Sequence, residues 1–145
     1  MLQKLNSKRA GFTLVEIMIV VSIIALLAAI AVPNALRARK RSQAASIVQT
    51  LRMLDSAKDQ YAIDSGLKKG ATPAPAGLAG YVKTGTKLYT QLSTTGIVLD
   101  EIGNTIVINV IDTAPTIDTD THNNLDDVLG GVGSQEAITY WGPHF

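Results

Sequence analysis

Gly11-Phe12-Thr13-Leu14-Val15-Glu16 opens a run from Phe12 to Val32, 21 residues in which Glu16 is the one charged side chain. At about 1.5 Å per residue, a helix of that length spans roughly 30 Å, the thickness of a bilayer's hydrocarbon core. The carboxylate is the anomaly in the run. An acid near mid-bilayer costs about 2.5–3.5 kcal/mol on insertion scales, and less toward an interface. An ionisable group in such a setting is functional by default, and its partner must be found.

Outward from this run, residues 1–11 carry Lys4, Lys8 and Arg9 and no acid. Three readings compete for such a start. A secretory signal peptide would use Ala29-Ile30-Ala31 as its small-residue cleavage site, but the apolar run is too long for one and carries an acid near its start. A plain membrane anchor fits the length and gives Glu16 no purpose. The third reading is a resemblance. Gly11 to Glu16, behind a short basic leader, closely resembles the prepilin cleavage motif of type IV pilins and type II secretion pseudopilins. The resemblance covers about 30 residues, through Pro33. It implies that a prepilin peptidase cuts between Gly11 and Phe12 and that the new Phe12 amine is methylated. It also implies that Glu16, one helical turn on, attracts the terminal amine of a neighbouring subunit and sets the stagger of a filament. Positive charges stand on both sides of the run (Lys4, Lys8, Arg9 before; Arg37, Arg39, Lys40, Arg41 after), so the positive-inside rule does not decide the orientation. The resemblance puts the N-terminus in the cytoplasm.

Beyond Pro33 the chain stays helical in character. Ala35 to Ala62 contains neither glycine nor proline, and Ile47, Leu51, Leu54, Lys58 and Tyr61 form one stripe at three- and four-residue steps. Ser65-Gly66 is the expected stop. A continuous helix over residues 12–64 would be about 80 Å long, more than a chain of this size can bury. Its first half must meet membrane or other copies of itself. Pro33 is expected to kink the helix, with melting on assembly, because proline lacks an N–H and clashes with the preceding turn.

The remaining residues have to supply a small head. Gly70 to Gly77 reads as a loop. Leu78 to Leu92 is ambiguous, with a helical turn suggested by Leu78, Tyr81 and Val82. Residues 97–111 read as a β-hairpin turning at Gly103-Asn104, with Ile102 opposite Thr105 and Ile97, Leu99, Ile106, Ile108 and Val110 facing the helix stripe. Ala137 to Trp141 is a candidate third strand, and Tyr140 and Trp141 read as packing anchors or a subunit contact. The expected fold is α+β: a leader (1–11), an apolar half-helix (12–33), an amphipathic half-helix (34–65) and a head (66–145) closed by the segment 112–145. The resemblance implies this pilin layout, with the apolar half protruding.

One segment has metal character. Asp118, Asp120, Asp126 and Asp127 offer hard oxygen ligands of the kind calcium takes. The closing bidentate glutamate of an EF-hand loop is missing, which favours a solvated acidic loop. The stretch from Gly130 to Gly142 resembles the C-terminus of major pseudopilins, and this implies a calcium-binding loop beside it. Here the acids are shifted upstream, leaving Glu136 alone between the glycines and Ile138.

Composition excludes other classes. The 145 residues include no cysteine, so disulfide staples and thiol catalysis are ruled out. The two histidines, His122 and His144, belong to no hydrolase or metalloprotease motif, and Gly130-Gly131-Val132-Gly133-Ser134 lacks the lysine of a phosphate loop. No enzyme is expected. The net charge of +1 hides +3 in residues 1–11, +7 in residues 37–89 and −8 in residues 90–145, with Glu16 completing the sum. Such a dipolar chain suggests end-to-end contact, in cis or between copies. Aromatics make up 5% and none interleaves the basic stretch, so nucleic acid is not an expected partner.

The expected function is therefore a structural subunit of a type IV pilus-like or type II secretion pseudopilus filament. Its implied partners are further copies, the prepilin peptidase, an inner-membrane assembly platform and minor pilins or pseudopilins. It would begin as a single-pass inner-membrane precursor and end in a periplasmic or cell-surface filament. The competing reading is a membrane-anchored periplasmic binding module that is neither processed nor polymerised.

Overall fold

The computed structural model describes residues 11–126 and 140–144, except for the side chains of Asp126 and Pro143. The leader, Asp127, Glu136 and residues 137–139 lie outside the described residues. Two compact units emerge, the first ending at Leu36 and the second starting at Arg37.

One helix, α1 (Leu14–Ser65), begins in the first unit and ends in the second, and it includes Pro33 without interruption. Its stop follows from one residue. Gly66 adopts φ +64°, a left-handed conformation that glycine enters without a Cβ penalty. The Leu67 N–H then donates to the Ala62 carbonyl at 2.9 Å, a Schellman closure of the last turn.

In the first unit every described residue is exposed. Leu14, Val15, Ile17, Met18, Ile24, Leu26, Leu27 and Ile30 each leave half or more of their surface uncovered. Ser22, the polar residue in the middle of the run, turns its Oγ back onto the Met18 carbonyl at 2.7 Å. A hydroxyl satisfied within its own helix is what an apolar surrounding demands.

The second unit is an α+β head built on residues 37–65 of α1. The expected stripe is its floor: Ile47, Leu51 and Leu54 are fully buried, Lys58 is buried with them and Tyr61 is half-buried. Over it lie α2 (Pro75–Leu78), a 3₁₀ turn (Ala79–Tyr81), α3 (Lys87–Thr94), β1 (Val98–Leu99), β2 (Thr105–Ile106) and α4 (Thr119–Asp126). Leu78, Val82, Leu88, Leu92, Val98, Ile106, Leu125 and Trp141 complete the core. The ambiguous stretch Leu78 to Leu92 thus resolves into two short helices and a turn. Thr86 caps α3, its Oγ1 accepting the Tyr89 N–H at 3.2 Å. Lys58 points its ammonium at the Thr113 carbonyl, beside Asp55 at 3.9 Å. Burial pushes its pKa below the ordinary lysine value, against the pull of Asp55, Asp59 and Asp112.

The hairpin departs from expectation in register. Val98 pairs with Ile106 and Leu99 with Thr105, three residues away from the pairing of Ile102 with Thr105. An odd shift exchanges the faces of one strand relative to the other. Val98 is therefore buried while Ile97 and Leu99 are exposed, and Ile106 keeps its expected inward position. The cause is Asp100. Its Oδ1 accepts the N–H groups of Ile102, Gly103 and Asn104 at 2.8, 2.8 and 2.9 Å, and its Oδ2 accepts the Thr121 hydroxyl. The carboxylate organises residues 100–104 into a closed turn, and a two-residue turn at Gly103-Asn104 cannot compete with that set. Val107 extends the sheet by a single bridge to Thr116.

Two further expectations change. Tyr140 and Trp141 are helical, not strand, although Trp141 is fully buried and packs edge-on to Tyr140 at 5.4 Å, as a packing anchor should. The acidic segment is not a loop. Asp118 Oδ1 accepts the Asp120 N–H at 2.8 Å and starts α4, which buries Thr121, His122 and Leu125. The penultimate residue, His144, is buried, its Nδ1 donating to the Pro115 carbonyl at 2.8 Å.

Replacing Asp100 by alanine strips three backbone donors and one hydroxyl of a buried acceptor. The expected loss is about 3 kcal/mol in urea titrations of the detergent-solubilised chain, with amide protection lost at residues 102–104. Unchanged stability in Asp100→Ala would show that the turn does not depend on the carboxylate.

Candidate functional site

The residues singled out by the sequence converge on the start of α1. Gly11, Phe12 and Thr13 precede the helix, and Thr13 occupies the N-cap position because α1 begins at Leu14. Thr13 and Glu16 stand three residues apart, the spacing of a capping box. The Glu16 Oε2 accepts both the Thr13 N–H and the Thr13 hydroxyl at 2.8 Å, and the Thr13 Oγ1 in turn accepts the Glu16 N–H at 3.2 Å. The carboxylate also sits at the positive end of the helix dipole. Two backbone donors at the helix start, the Thr13 and Glu16 N–H groups, are thus met within four residues.

Thr13 is a member of this arrangement that the search for charge in the apolar run does not find. Its signal is nevertheless present: Thr-x-x-Glu ahead of an apolar run is the sequence form of a capping box. The cap bears on Glu16 in two ways. Its side chain is held toward the helix start, and among the described residues only Oε2 is engaged. The other oxygen is open to a partner.

Among the described residues nothing requires glycine at position 11. A Cβ added there meets nothing within 4 Å, and its φ lies outside the left-handed region. Pro33, by contrast, acts inside α1: without an N–H it leaves the Ala29 carbonyl short of its usual i+4 donor.

Two of the four calcium candidates, Asp118 and Asp120, fall at the start of α4. Asp118 is committed to capping α4, and Asp120 lies exposed in the first turn of that helix. The Asp126 side chain and Asp127 lie outside the described residues. Among the described residues no group of three His, Cys, Asp or Glu side chains gathers to hold a metal ion.

Comparison with known proteins points to the same end of the chain. Residues 6–32 match a family model described as the prokaryotic N-terminal methylation motif. The chain is 38% identical over 85 residues to the type IV major pilin protein PilA of Myxococcus xanthus, covering 54% of this chain and 38% of that protein. It is 44% identical over 55 residues to the type IV wide pilus major component PilA4 of Thermus thermophilus, covering 38% and 42% of the two chains. It is 37% identical over 60 residues to the type II secretion system core protein G of Escherichia coli, covering 41% of each. The chain thus spans about two fifths of the length of these curated relatives. No solved structure matches it.

Removing the capping hydroxyl tests the geometry directly. Thr13→Val is expected to cost about 1 kcal/mol in the first turn of α1, seen as roughly fivefold faster amide exchange at Val15 and Glu16 in detergent micelles. Exchange at wild-type rates would contradict the cap.

Proposed function

We propose that this chain, whose N-terminal segment is of the type IV pilin and type II secretion pseudopilin family, is a filament subunit that polymerises through residues 12–32. The observation that carries the reading is the combination at the start of α1. An exposed apolar helix opens with a carboxylate that has one oxygen unengaged among the described residues, and among those residues the glycine before it has no packing or backbone role.

A peptidase that cuts between Gly11 and Phe12 accounts for that glycine, since a small residue at the scissile bond serves the enzyme and not the fold. The cut leaves the Thr13 N–H in place, so the cap on Glu16 survives processing. It also creates a positive amine at Phe12. Two opposite charges about 4 Å apart attract by about 4 kcal/mol at an effective dielectric near 20. Inside a bundle of apolar helices either charge alone is costly, so a copy that offers its amine to the open oxygen of Glu16 is selected over one out of register. A buried polar pair specifies alignment in coiled coils by the same logic.

Before assembly the segment 12–32 is held in the inner membrane, with the leader on the cytoplasmic side and the head beyond the opposite face. The partners are copies of this chain, related minor subunits, the processing peptidase and an assembly platform in the membrane. The role of the chain is structural. Its relatives by name divide between pili and the type II secretion core, and the filament belongs to one of these two classes.

Mass spectrometry of the chain isolated from its native envelope checks the processing. The expected mature N-terminus is a methylated Phe12; an intact Met1, or a start at Val32, contradicts it and favours a permanent anchor or a signal peptide. Glu16→Ala is expected to be processed and membrane-inserted yet to yield at least about tenfold fewer filaments, in proportion to the lost pairing. Normal filament yield from that variant would remove the role assigned to the carboxylate.

A further inference from the structure

Between Glu16 and Asp55 the chain contains no acidic residue, and within that interval stands the cluster Arg37, Arg39, Lys40 and Arg41, with Arg52 further on. All four of the cluster lie on α1; its three arginines are exposed and Lys40 is half-buried. Lys58, Lys69 and Lys87 each have a carboxylate at 3.9, 3.5 and 3.9 Å. Among the described residues, Arg37, Arg39 and Arg41 have none.

The arrangement of these charges indicates what they meet. At about 100° per residue, and taking Arg37 as origin, Arg39 points to about 200°, Lys40 to about 300° and Arg41 to about 40°. Arg37 and Arg41 lie on one side of the helix and Arg39 on the other. A contact with one neighbouring protein would gather them on one side, whereas a surface that the helix passes through meets them all. Depth agrees with direction. Arg37 follows Val32 by about 7.5 Å of helical rise and Arg41 by about 13.5 Å. The polar zone outside the hydrocarbon core is about 5–8 Å thick on each face of a bilayer. Long side chains reaching back along the helix then bring their guanidinium groups to the level of the lipid phosphates. Arginine, three of the four here, is the residue whose planar fork matches phosphate oxygens two at a time.

We infer that Arg37, Arg39 and Arg41 form a collar that binds the phosphates of anionic phospholipids at the membrane face where residues 12–32 emerge. The inference rests on the reading of that segment as a membrane span. The collar holds the precursor at a fixed depth, and these contacts must be released when the subunit leaves the bilayer for a filament. The counter-charge that the three arginines lack among the described residues is supplied by the lipid.

The test uses the full-length chain in lipid nanodiscs of equal phosphatidylglycerol and phosphatidylcholine, with retained lipids counted by native mass spectrometry. Each cation near an anionic surface contributes about fivefold, so phosphatidylglycerol is expected to be preferred by on the order of a hundredfold at low salt, and less as salt is added. The variant Arg37→Gln/Arg39→Gln/Arg41→Gln is expected to lose the preference, and Arg37→Lys/Arg39→Lys/Arg41→Lys to keep most of it. Equal retention of the two lipids by the wild-type chain overturns the collar, as does an undiminished preference in the glutamine variant. If the glutamine variant keeps the preference and instead loses cross-links between copies, the arginines serve an acidic face of a second copy. Displacement of the lipid by inorganic phosphate shows that a free anion suffices and overturns the assignment to lipid. Alkaline carbonate washing of vesicles holding the chain separates the premise from the inference: a chain that washes out has no span and no collar, and a chain that stays without lipid preference loses the collar alone.

Discussion

Twenty-one residues that the chain does not cover, Phe12 to Val32, set the terms for everything else in this molecule. Their apolar surface is too large to leave in water, since each aliphatic side chain buried is worth about 1.5–3 kcal/mol. The polar groups that remain in the run are bonded within it, apart from one oxygen of Glu16. Ser22 is bonded to the Met18 carbonyl, and Thr13 and Glu16 are bonded to each other. A helix prepared in this way is stable in lipid and equally stable among other helices like itself. On the function proposed above, exchange between those two surroundings is the physical basis of a subunit that waits in a membrane and works in a filament.

The head answers a different constraint. It has no cysteine to staple it, and its core depends on a floor lent by α1. Its short strands contribute few ladder bonds, and side chains do the work that sheet does elsewhere. Asp100 gathers three backbone donors into one turn, and Tyr81 donates to Asp64 at 2.6 Å, tying the 3₁₀ turn to the end of α1. His144 and Trp141 bring the C-terminal residues into the same core.

How much of this is legible in the sequence follows from how local each cause is. The apolar run, the stripe from Ile47 to Tyr61 and the stop at Gly66 depend on neighbours within one or two turns, and all three stand where the periodicity puts them. The Thr13–Glu16 cap is equally local, but the charge of Glu16 masks its spacing from Thr13 as a signal. The hairpin register is not legible. It turns on a carboxylate that reaches two to four residues ahead and on Thr121, 21 residues away, so no count of alternating side chains reveals it. The acidic segment misleads in the same manner, because a run of aspartates suggests a loop until one of them is seen to cap a helix. For the candidate site, Glu16 and Gly11 are visible as a motif; that Gly11 packs against nothing among the described residues emerges only from the folded chain.

The central claim is that many copies of the segment 12–32 pack together, aligned by Glu16 and the amine created at Phe12. Electron cryomicroscopy of filaments assembled from the native chain tests it most directly. The account predicts apolar helices bundled around the filament axis, with each Glu16 carboxylate within hydrogen-bond distance of the Phe12 amine of a neighbouring copy. Filaments whose axis is lined by the heads, or in which Glu16 faces solvent away from every amine, would contradict it.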